Sequence, residues 1–416
     1  MLVFEAKLEG TNEQYGKLDE AIRTARFVRN SCLRYWMDNK DIDKYDLSAY
    51  CAVLAKEFEF AANLNSMARQ ASAERAWAAI SRFYDNCKKN KQGLKGYPRF
   101  KKEQTHGSVE YKTSGWKFSN DRRYITLNDG FEAGTFKMWG TRDLHFYRQS
   151  PTEGDPPAAL AHQLKQIKRV RVVRRADGYY CQFCIDLERL EKREPTLKTV
   201  GIDVGLNHFY TDSDGNTVAN PRHLRKSEKS LKRLQRRLSR TKKGSKNRVK
   251  ARLLVARKHL KVSRQRKDFA VKTARCVVQS NDLVVYEDLK VRSMVRNRYL
   301  AKSISDAAWT QFRSWVEYFG KVFGVATVAV PPHYTSQNCS NCGKVVKKSL
   351  SVRTHTCLHC GHTQDRDHNA ARNILERGLR TVGHTGTLIA SGDIDLYSGE
   401  EIPQNKPSRG KRKPKK

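Results

Sequence analysis

The chain has 416 residues, and 38% of them are hydrophobic, which is enough for two or three domains with buried cores. Its formal net charge of +38 at pH 7 indicates a polyanionic partner, because an excess of like charges opposes folding. Nucleic acid fits best, since lysine and arginine gain affinity when they displace counterions from phosphates. No apolar run approaches the roughly 20 residues that span a bilayer, and the amino terminus lacks a secretory pattern. We therefore expect a soluble intracellular protein without a membrane partner.

The amino-terminal half is predicted to be a β domain interrupted by helices. The first residues, MLVFEAKLE, alternate like an edge strand. A helical period follows from residue 13 to about 91, and the Gly and Pro of GYPRFKK end it. Strands then continue, including a hairpin whose turn is Ala176-Asp177-Gly178. We expect residues 1–12 and 103–195 to form a β-barrel or sandwich, with residues 13–102 as a helical insertion.

The carboxyl-terminal half alternates strands and helices. Three strands are followed by a helical stretch, a strand, a helix, a strand and a last helix. The helical stretch, residues 222–267, is crowded with lysine and arginine, and Glu228 is its single acid. Charges of one sign repel without partners, so we expect this stretch to contact phosphates. The chain ends in a basic flexible tail, residues 381–416, whose last part is expected to be disordered.

Four of the ten cysteines form two closely spaced pairs, Cys339-x-x-Cys342 and Cys357-x-x-Cys360. Each pair is followed by Gly, in CSNCG and CLHCG, which lets the backbone donate hydrogen bonds to thiolate sulfurs. Two such turns complete a tetrahedral Zn²⁺ site. Four cysteine ligands leave no open position for a substrate water, so the spacing predicts one structural zinc ion.

Other possible metal ligands are interpreted as bystanders. His355, His359 and His362 crowd the second cysteine pair, but four well-spaced thiols complete the site without them. Cys181 and Cys184 lie in a predicted strand, where an offset of three residues sends side chains to opposite faces. We interpret them as strand residues.

Two acids lie on predicted strands of the carboxyl-terminal half. In TVGIDVGLN the apolar side chains share one face, whereas Asp203 points to the other face between two glycines. A buried acid is costly unless a cation or a metal meets it. In NDLVVYEDLK, Glu287 and Asp288 end a strand and alternate to opposite faces. From these residues alone, a capping role and a ligand role stay equally open for both.

A third candidate lies in GHTQDRDHNAARNIL, which contains Asp365 and Asp367. Neighbours on one face of a helix fall three, four and seven residues apart. Those after Asp367 form a small, apolar face that would pack on a sheet: Ala370, Ala371 and Ile374. Those after Asp365 form a face for water: His368, Asn369 and Arg372. Helical spacing therefore predicts Asp367 as the inward acid and Asp365 as a capping or first-turn residue.

The order of elements and acids together predicts an RNase H-like fold in which acids from the first strand, the fourth strand and a late helix converge. Such clusters hold two divalent metals about 4 Å apart, which activate a water and stabilise the leaving oxygen in phosphodiester cleavage. Carboxylate oxygens suit Mg²⁺. The whole chain is thus expected to be a multidomain α+β protein with a metal-dependent nuclease site.

The chain resembles the TnpB family, the OrfB-type transposon-encoded nucleases related to type V CRISPR effectors. The resemblance rests on motifs in the family's order along nearly the whole chain: KLEG, RTARFVRN, GYPRFKK, GIDVGLNHF, VVYEDLK, TSQNCSNCG with CLHCG, and DRDHNAARNI. It implies an RNA-guided DNA endonuclease with a wedge-type β-barrel, a helical recognition insertion and a RuvC-like nuclease domain. The nuclease domain would comprise residues 196–334 and 364–380, with a zinc ribbon inserted at 335–363. Asp203, Glu287 and Asp367 match the three catalytic acids of the RuvC pattern.

The resemblance also implies the partners. They are a guide RNA made from the transposon end and target DNA beside a short motif. No small-molecule substrate is expected. The implied location is the nucleoid-associated cytoplasm of a prokaryotic cell. Base pairing would supply sequence specificity while the protein holds the heteroduplex by shape and charge. Gln70 lies on a helix similar to the family's motif-reading helix, where an amide can bond an adenine edge; a plain surface glutamine stays an open alternative. The candidate phosphate contacts of the basic stretch are Lys232, Arg233, Arg236, Arg237 and Arg240.

Two other functions stay open. A structure-selective resolvase or a strand-transferring transposase could use the same catalytic core, although it would not need the amino-terminal domains. A non-enzymatic zinc-ribbon nucleic-acid binder would carry the acids for structural reasons alone, so replacing Asp203 or Asp367 by Ala would leave every activity intact.

Overall fold

A computed structural model describes residues 2–89, 93–102, 107–140, 167–185, 189–349 and 352–383. Contacts divide the chain into two compact units, Met1–Arg189 with Ser230–Lys261, and Leu190–Lys229 with Val262–Lys416. Part of the basic stretch thus groups with the amino-terminal residues, while the domain boundaries themselves stay a prediction. The predicted tail lies outside the described residues from residue 384 onward.

Four helices of the first unit confirm the helical period read between residues 13 and 91. They are α1 (Asn12–Asp38), α2 (Lys44–Glu57), α3 (Glu59–Ala62) and α4 (Ser66–Lys88). Thr11 and Gln14 form a capping box at the start of α1, and Asp43 caps α2 in the same way. Asn65 caps α4 by accepting the amide hydrogen of Met67. Local side chains therefore explain where these helices begin.

Seven strands in the described part of the first unit form one antiparallel sheet. Its strands are β1 (Leu2–Glu9), β2 (Ser108–Tyr111), β3 (Trp116–Phe118), β4 (Tyr124–Leu127), β5 (Gly134–Trp139), β6 (Ile167–Arg175) and β7 (Gly178–Ile185). They lie in the order β2-β6-β7-β1-β5-β4-β3. The predicted hairpin is confirmed, since β6 and β7 pair across Ala176-Asp177.

The prediction that the first residues form an edge strand is wrong. Strand β1 lies inside the sheet, where it pairs with β7 on one side and β5 on the other. The alternation of its residues reflects one buried face, on which Ala6 and Leu8 are each 1% exposed, and one outer face that carries Val3. Interior and edge strands of an antiparallel sheet share that pattern, so alternation alone does not distinguish them.

The remaining elements follow the predicted order of strands and helices. They are β8 (Thr199–Val204), β9 (His208–Asp212), β10 (Thr217–Ala219), α5 (His223–Ser239), α6 (Lys246–Gln279), β11 (Leu283–Glu287), α7 (Val291–Met294), α8 (Ala301–Ala307), α9 (Trp309–Phe323), β12 (Ala326–Val330), β13 (Thr354–Thr356), β14 (Thr363–Asp365) and α10 (Arg366–Thr381). Within the described ranges, no helix is long and apolar enough to cross a membrane.

The sheet of the second unit has the order β10-β9-β8-β11-β12. Strands β8, β11 and β12 are parallel, whereas β9 and β10 are antiparallel to their neighbours. On one face, Val200 and Ile202 join an apolar cluster with Phe312 of α9. Helix α10 covers the other face so closely that a Cβ at Gly201 would lie 2.3 Å from the carbonyl oxygen of Ala371. The sheet therefore positions α10 directly against β8.

Candidate functional site

Asp203 and Glu287 lie at the carboxyl ends of two neighbouring parallel strands. In the register of β8 and β11, Ile202 pairs with Tyr286, so the next residues on the two strands are Asp203 and Glu287. Both side chains point away from the apolar face that holds Ile202, because side chains alternate along a strand. Both are half-buried. Asp203 and Glu287 therefore lie on the same face of the sheet.

The third acid, Asp367, lies close enough to affect the same group. Burial raises the pKa of Asp203 well above its ordinary value, and the carboxylates of Glu287 and Asp367 raise it further. Arg366 and Arg353 act in the opposite direction. Three acids from separate elements thus form one electrostatic cluster, and their mutual repulsion would be relieved by a cation.

Glu287 is oriented by a residue that sequence reasoning missed. The hydroxyl group of Thr335 donates a 2.6 Å hydrogen bond to Oε1 of Glu287. Burial raises the pKa of Glu287, while this hydrogen bond and the charge of Arg377 lower it. Arg377 is itself held by the carbonyl oxygens of Pro331 and His333, at 3.0 and 2.6 Å. Thr335 therefore favours the ionised form of Glu287 and fixes its direction.

The two aspartates of the last helix have the different roles that helical spacing predicted. Asp365 is the N-cap of α10 and accepts the amide hydrogens of Asp367 and His368, at 2.8 and 3.1 Å. The face that follows Asp367 is buried, with Ala370, Ala371 and Ile374 at most 1% exposed. Asp365 therefore holds the start of the helix while Asp367 faces the sheet.

The prediction that Asn369 faces water is wrong, since its side chain is fully buried. Its Oδ1 accepts the amide hydrogen of Ser340 at 2.9 Å, and its Nδ2 donates to the carbonyl oxygen of Asn338 at 2.8 Å. Asn373, one turn later, donates to the carbonyl oxygens of Thr335 and Asn338, at 2.7 and 2.8 Å. Helix α10 thus holds the backbone that leads to the first cysteine pair. It also holds Thr335, the residue that orients Glu287.

A guanidinium group contacts the third acid. Nη1 of Arg353, which lies between the two cysteine pairs, is 3.1 Å from Oδ1 and 3.3 Å from Oδ2 of Asp367. The carbonyl oxygen of Arg353 also accepts the amide hydrogen of Arg366, at 2.7 Å. Arg353 therefore supplies positive charge at the acid cluster.

Two acids that lie near Asp203 and Glu287 in the sequence, Asp212 and Asp288, have their own partners. Asp288 forms an ion pair with Arg313 of α9, on the opposite side of the sheet from Glu287, as the alternation predicted. Asp212 accepts the amide hydrogens of Asp214 and Asn216, at 3.0 and 2.8 Å, in a local turn. These contacts stabilise local structure. Glu287 thus belongs to the acid cluster, whereas Asp288, the next residue in the chain, does not.

The acid cluster fits a divalent metal. Its oxygen ligands are hard, and its strand acids are half-exposed rather than sealed. The raised pKa of Asp203 reflects burial first and then the charges of the neighbouring carboxylates. Mg²⁺ binds through one or two carboxylates and keeps several water ligands, which an open carboxylate cluster allows. The residues present are therefore suited to hold such ions.

The four predicted cysteines form one group suited to a metal ion. The Sγ atoms of Cys339, Cys342, Cys357 and Cys360 all lie within 4.8 Å of one another. The Sγ atoms of Cys339 and Cys360 are 3.7 Å apart, and those of Cys342 and Cys357 are 3.6 Å apart. Zinc–sulfur bonds of about 2.3 Å in a tetrahedron place sulfur atoms about 3.8 Å apart. The spacing of the thiols therefore matches tetrahedral zinc.

The backbone of the second cysteine pair stabilises a thiolate. The amide hydrogen of His362 and the side chain of Asn341 donate to Sγ of Cys360, which lowers the pKa of this thiol to about 6. The residues after the pairs, Gly343 and Gly361, have φ values of 74° and 72°, which favour glycine. The predicted donation by the backbone is confirmed. His355 and Cys181 are not in the group of ligands found among the described residues.

The candidate nucleic-acid contacts lie in the first unit. Gln70 is half-buried on α4, and its Oε1 is 3.4 Å from Nζ of Lys112. The basic candidates on α5 and just after it are all exposed: Lys232, Arg233, Arg236, Arg237 and Arg240. The roles of these residues stay predictions.

Comparisons with known proteins place the chain in a family. The family model described as "Probable transposase" matches residues 182–298, and the model described as "Cas12f1-like, TNB domain" matches residues 309–374. A Streptomyces pristinaespiralis protein named "Putative RNA-guided DNA endonuclease" is 33% identical over 90% of this chain and 89% of its own length. InsQ of Escherichia coli K12, with the same descriptive name, is 33% identical over 54% of this chain and 60% of its own length.

A solved structure shares the fold. The chain in "Cryo-EM structure of the Cas12f1-sgRNA-target DNA complex" aligns with a TM-score of 0.52 and 15% identity, over 87% of this chain and 82% of that chain. At this identity the likeness concerns the fold alone. Given the Streptomyces relative, the chain belongs to the TnpB family, and the resemblance read from its motifs is confirmed. Other relatives carry the name "TnpB-like protein", such as L79 of Acanthamoeba polyphaga mimivirus.

Proposed function

We propose that this chain is an RNA-guided DNA endonuclease that binds a guide RNA from the transposon end and hydrolyses phosphodiester bonds of target DNA. The observation that carries the proposal is the cluster of Asp203, Glu287 and Asp367 at the carboxyl ends of two interior strands of a five-stranded sheet. The Streptomyces relative, which aligns over 89% of its own length, supports guidance by RNA through its name, "Putative RNA-guided DNA endonuclease". The net charge of +38 supports polyanionic partners.

Asp203, Glu287 and Asp367 are the residues that would hold two Mg²⁺ ions. When bound, such ions supply an activated water and stabilise the leaving oxygen of the cleaved phosphodiester. Asp203 and Glu287 are held by paired strands, and the packing of α10 fixes the direction of Asp367. Thr335 favours the ionised form of Glu287 and orients its carboxylate through a 2.6 Å hydrogen bond. The chain thus presents three carboxylates whose positions depend on rigid elements.

The domain organisation is part of the proposal. Residues 196–334 and 364–380 form a RuvC-like nuclease domain, which the order of the five-stranded sheet supports. Residues 335–363 form a zinc ribbon with one structural Zn²⁺ on its four cysteines, which the sulfur distances support. Residues 1–12 and 103–195 form a wedge-like β-barrel with residues 13–102 as its helical insertion, supported by seven antiparallel strands in one sheet and four helices between β1 and β2.

The site is tested by cleavage assays with matched variants. The chain is expressed with its locus, the RNA that co-purifies is sequenced, and cleavage of matched duplex DNA is measured with Mg²⁺. Asp203→Asn and Glu287→Gln remove a charge with little change in size and should abolish cleavage while RNA binding persists. Asp288→Asn removes the same charge from the opposite side of the sheet and should cleave nearly as fast as the unmodified chain, because its exposed ion pair contributes little.

Each alternative function has its own outcome in these assays. Cleavage that ignores the sequence of the bound RNA would indicate a resolvase or a transposase. Full cleavage by both Asp203→Asn and Glu287→Gln would contradict the proposed site. A chain that binds nucleic acid without cleaving it, and whose binding survives both substitutions, would be a zinc-ribbon binder.

A further inference from the structure

A cavity of about 330 Å³ lies in the first unit between α1, α4 and the start of β2. Five cationic side chains line it, together with small and apolar residues: Arg26, Arg29, Arg75, Lys101 and Lys102. We call it the basic cavity. Its volume is near the lower end of the range of about 300–1,000 Å³ for ligand pockets.

No acid lines the basic cavity among the residues that the structure describes. Glu110, whose charge reaches Arg75, is already bound by Arg169 and Arg171, at 2.7 and 2.6 Å. Cations that surround a cavity without a carboxylate repel one another. Within the described residues, the cations of the cavity thus have no carboxylate partner in its wall, and such a site attracts an anion.

The two most enclosed arginines are held in fixed positions. Arg29 is only 7% exposed, and Nη1 of its guanidinium donates to Oδ1 of Asn30 and to the carbonyl oxygen of Arg99, at 3.2 and 3.4 Å. Arg75 donates from Nη2 to the hydroxyl oxygen of Ser108 at 3.1 Å. A guanidinium has five N–H groups, so each arginine keeps further donors for a ligand. Because Ser108 accepts from Arg75, its own hydroxyl hydrogen is also available.

The side chain of Asn30 fixes the remaining wall. It donates from Nδ2 to the carbonyl oxygen of Lys101 and accepts the amide hydrogen of the same residue, both at 2.9 Å. The backbone of Lys101 is thus tied to α1, although the residue as a whole is exposed. Burial lowers the pKa of Arg29 and of Lys101, and the charge of Arg75 lowers both further. Both directions are those expected for cations that are partly buried beside another cation.

We propose that the basic cavity binds one backbone phosphate of a nucleic acid, with Arg29, Arg75 and Lys101 as its donors. Planar guanidinium groups match the oxygen atoms of a phosphodiester, and an ammonium group adds a point charge. The site deepens the proposed function, on which it rests for the identity of the polymer. The phosphate belongs either to guide RNA or to target DNA, and the two sources share the same chemistry.

The test measures binding of the full chain to two probes, an RNA transcribed from the transposon end and a duplex DNA presented to the RNA-loaded chain. Arg75→Gln should raise the Kd of one probe about tenfold and reduce the slope of log Kd against log salt by about 1. Lys101→Gln should also raise the Kd and reduce the salt slope. Because Lys101 is exposed, this substitution should leave the fold intact, so weaker binding would report a lost contact. The control is Arg23→Gln, which removes the same charge from the exposed side of α1 and should change neither quantity appreciably.

A scan with single methylphosphonate linkages identifies the phosphate. At one position, the neutral linkage should weaken binding by the unmodified chain but not by Arg75→Gln, because both changes remove the same contact. Coupling at an RNA position assigns the cavity to guide RNA, and coupling at a DNA position assigns it to target DNA. The proposal is overturned if no position couples, or if Arg75→Gln and Lys101→Gln bind both probes like Arg23→Gln.

The experiments distinguish failure of the proposed phosphate site from failure of the proposed function. If guided cleavage is observed but the cavity variants bind normally, only the cavity proposal falls. If cleavage ignores the RNA sequence while one phosphate still couples to Arg75, the guided function falls and the phosphate site stands.

Discussion

The hydroxyl group of Thr335 donates a 2.6 Å hydrogen bond to Glu287, although 48 residues separate the two in the chain. The carbonyl oxygen of Thr335 accepts from Nδ2 of Asn373 on α10 at 2.7 Å. One residue thus connects the second acid with the helix that carries the third acid. The geometry of the cluster depends on this connection as well as on the acids themselves.

Loss of the Thr335 hydroxyl should weaken metal binding without removing a ligand. Residues that orient metal ligands typically contribute about 10–100-fold to metal affinity or activity. We therefore expect Thr335→Val to raise the Mg²⁺ concentration needed for half-maximal cleavage by about tenfold or more. Thr335→Ser keeps the hydroxyl group and should restore the original Mg²⁺ dependence. An unchanged Mg²⁺ midpoint in Thr335→Val would show that the hydrogen bond does not support the site.

The two aspartates of α10 allow a matched comparison. Asp367→Asn should reduce cleavage by several orders of magnitude, because it removes a charged metal ligand and leaves RNA binding intact. Asp365→Asn should cleave at nearly the unmodified rate, since Asn is about as good an N-cap as Asp. Cleavage rates and RNA retention are measured on both variants. Equal loss of cleavage in the two would mean that the assignment of roles is incorrect.

Local patterns were sufficient to predict where the acids and cysteines point. Alternation along a strand placed Asp203 opposite the apolar face, helical spacing turned Asp367 inward, and two short cysteine spacings predicted the group of four thiols. Each of these predictions depends on neighbours within a few residues, where the period of a strand or helix is reliable. The resemblance to a family added the second acid, Glu287, which alternation alone left open.

Contacts between distant segments could not be predicted in the same way. Asn369 was expected in water, but it binds the backbone near the first cysteine pair, about 30 residues away. Arg353 and Thr335 reach the acid cluster from the segment inserted before α10, and no local pattern marks either one. Strand β1 was misjudged because its pairing with β5 and β7 depends on residues more than 100 positions later.

Stability without divalent metal should depend on pH through Asp203. Burial and the neighbouring carboxylates raise the pKa of Asp203 in the folded chain, so the folded state binds more protons than the unfolded state above about pH 4. The stability that protonated Asp203 contributes is therefore lost as the pH rises from about 4 through the raised pKa of this group. Asp203→Asn carries no charge, so its melting temperature should increasingly exceed that of the unmodified chain as pH rises in Mg²⁺-free buffer.

Two additions make this comparison decisive. Asp288→Asn is the control, since Asp288 is exposed and paired with Arg313 outside the cluster. Mg²⁺ should stabilise the unmodified chain more than Asp203→Asn and so reduce the difference. A difference in melting temperature that stays constant or shrinks with rising pH would contradict the electrostatic account of the cluster.

Zinc should be required for the structure rather than for the chemical step. Cys357→Ser should lose bound zinc, lower the melting temperature and impair cleavage, because Cys357 is 1% exposed and its Sγ lies 3.6 Å from that of Cys342. Cys87→Ser, at an exposed thiol far along the sequence from the four ligands, should keep zinc and stability. Zinc content is measured by elemental analysis and stability by thermal unfolding. Full zinc content and stability in Cys357→Ser would refute the structural role.

Guided cleavage is tested most directly by changing the guide. The chain is purified with an RNA whose target-matching segment has been replaced, and cleavage is measured on two duplex DNAs, one that matches the original segment and one that matches the new segment. The proposed function predicts that cleavage moves entirely to the second duplex, requires Mg²⁺ and disappears in Asp203→Asn. Continued cleavage of the first duplex, or equal cleavage of both, would contradict the central claim.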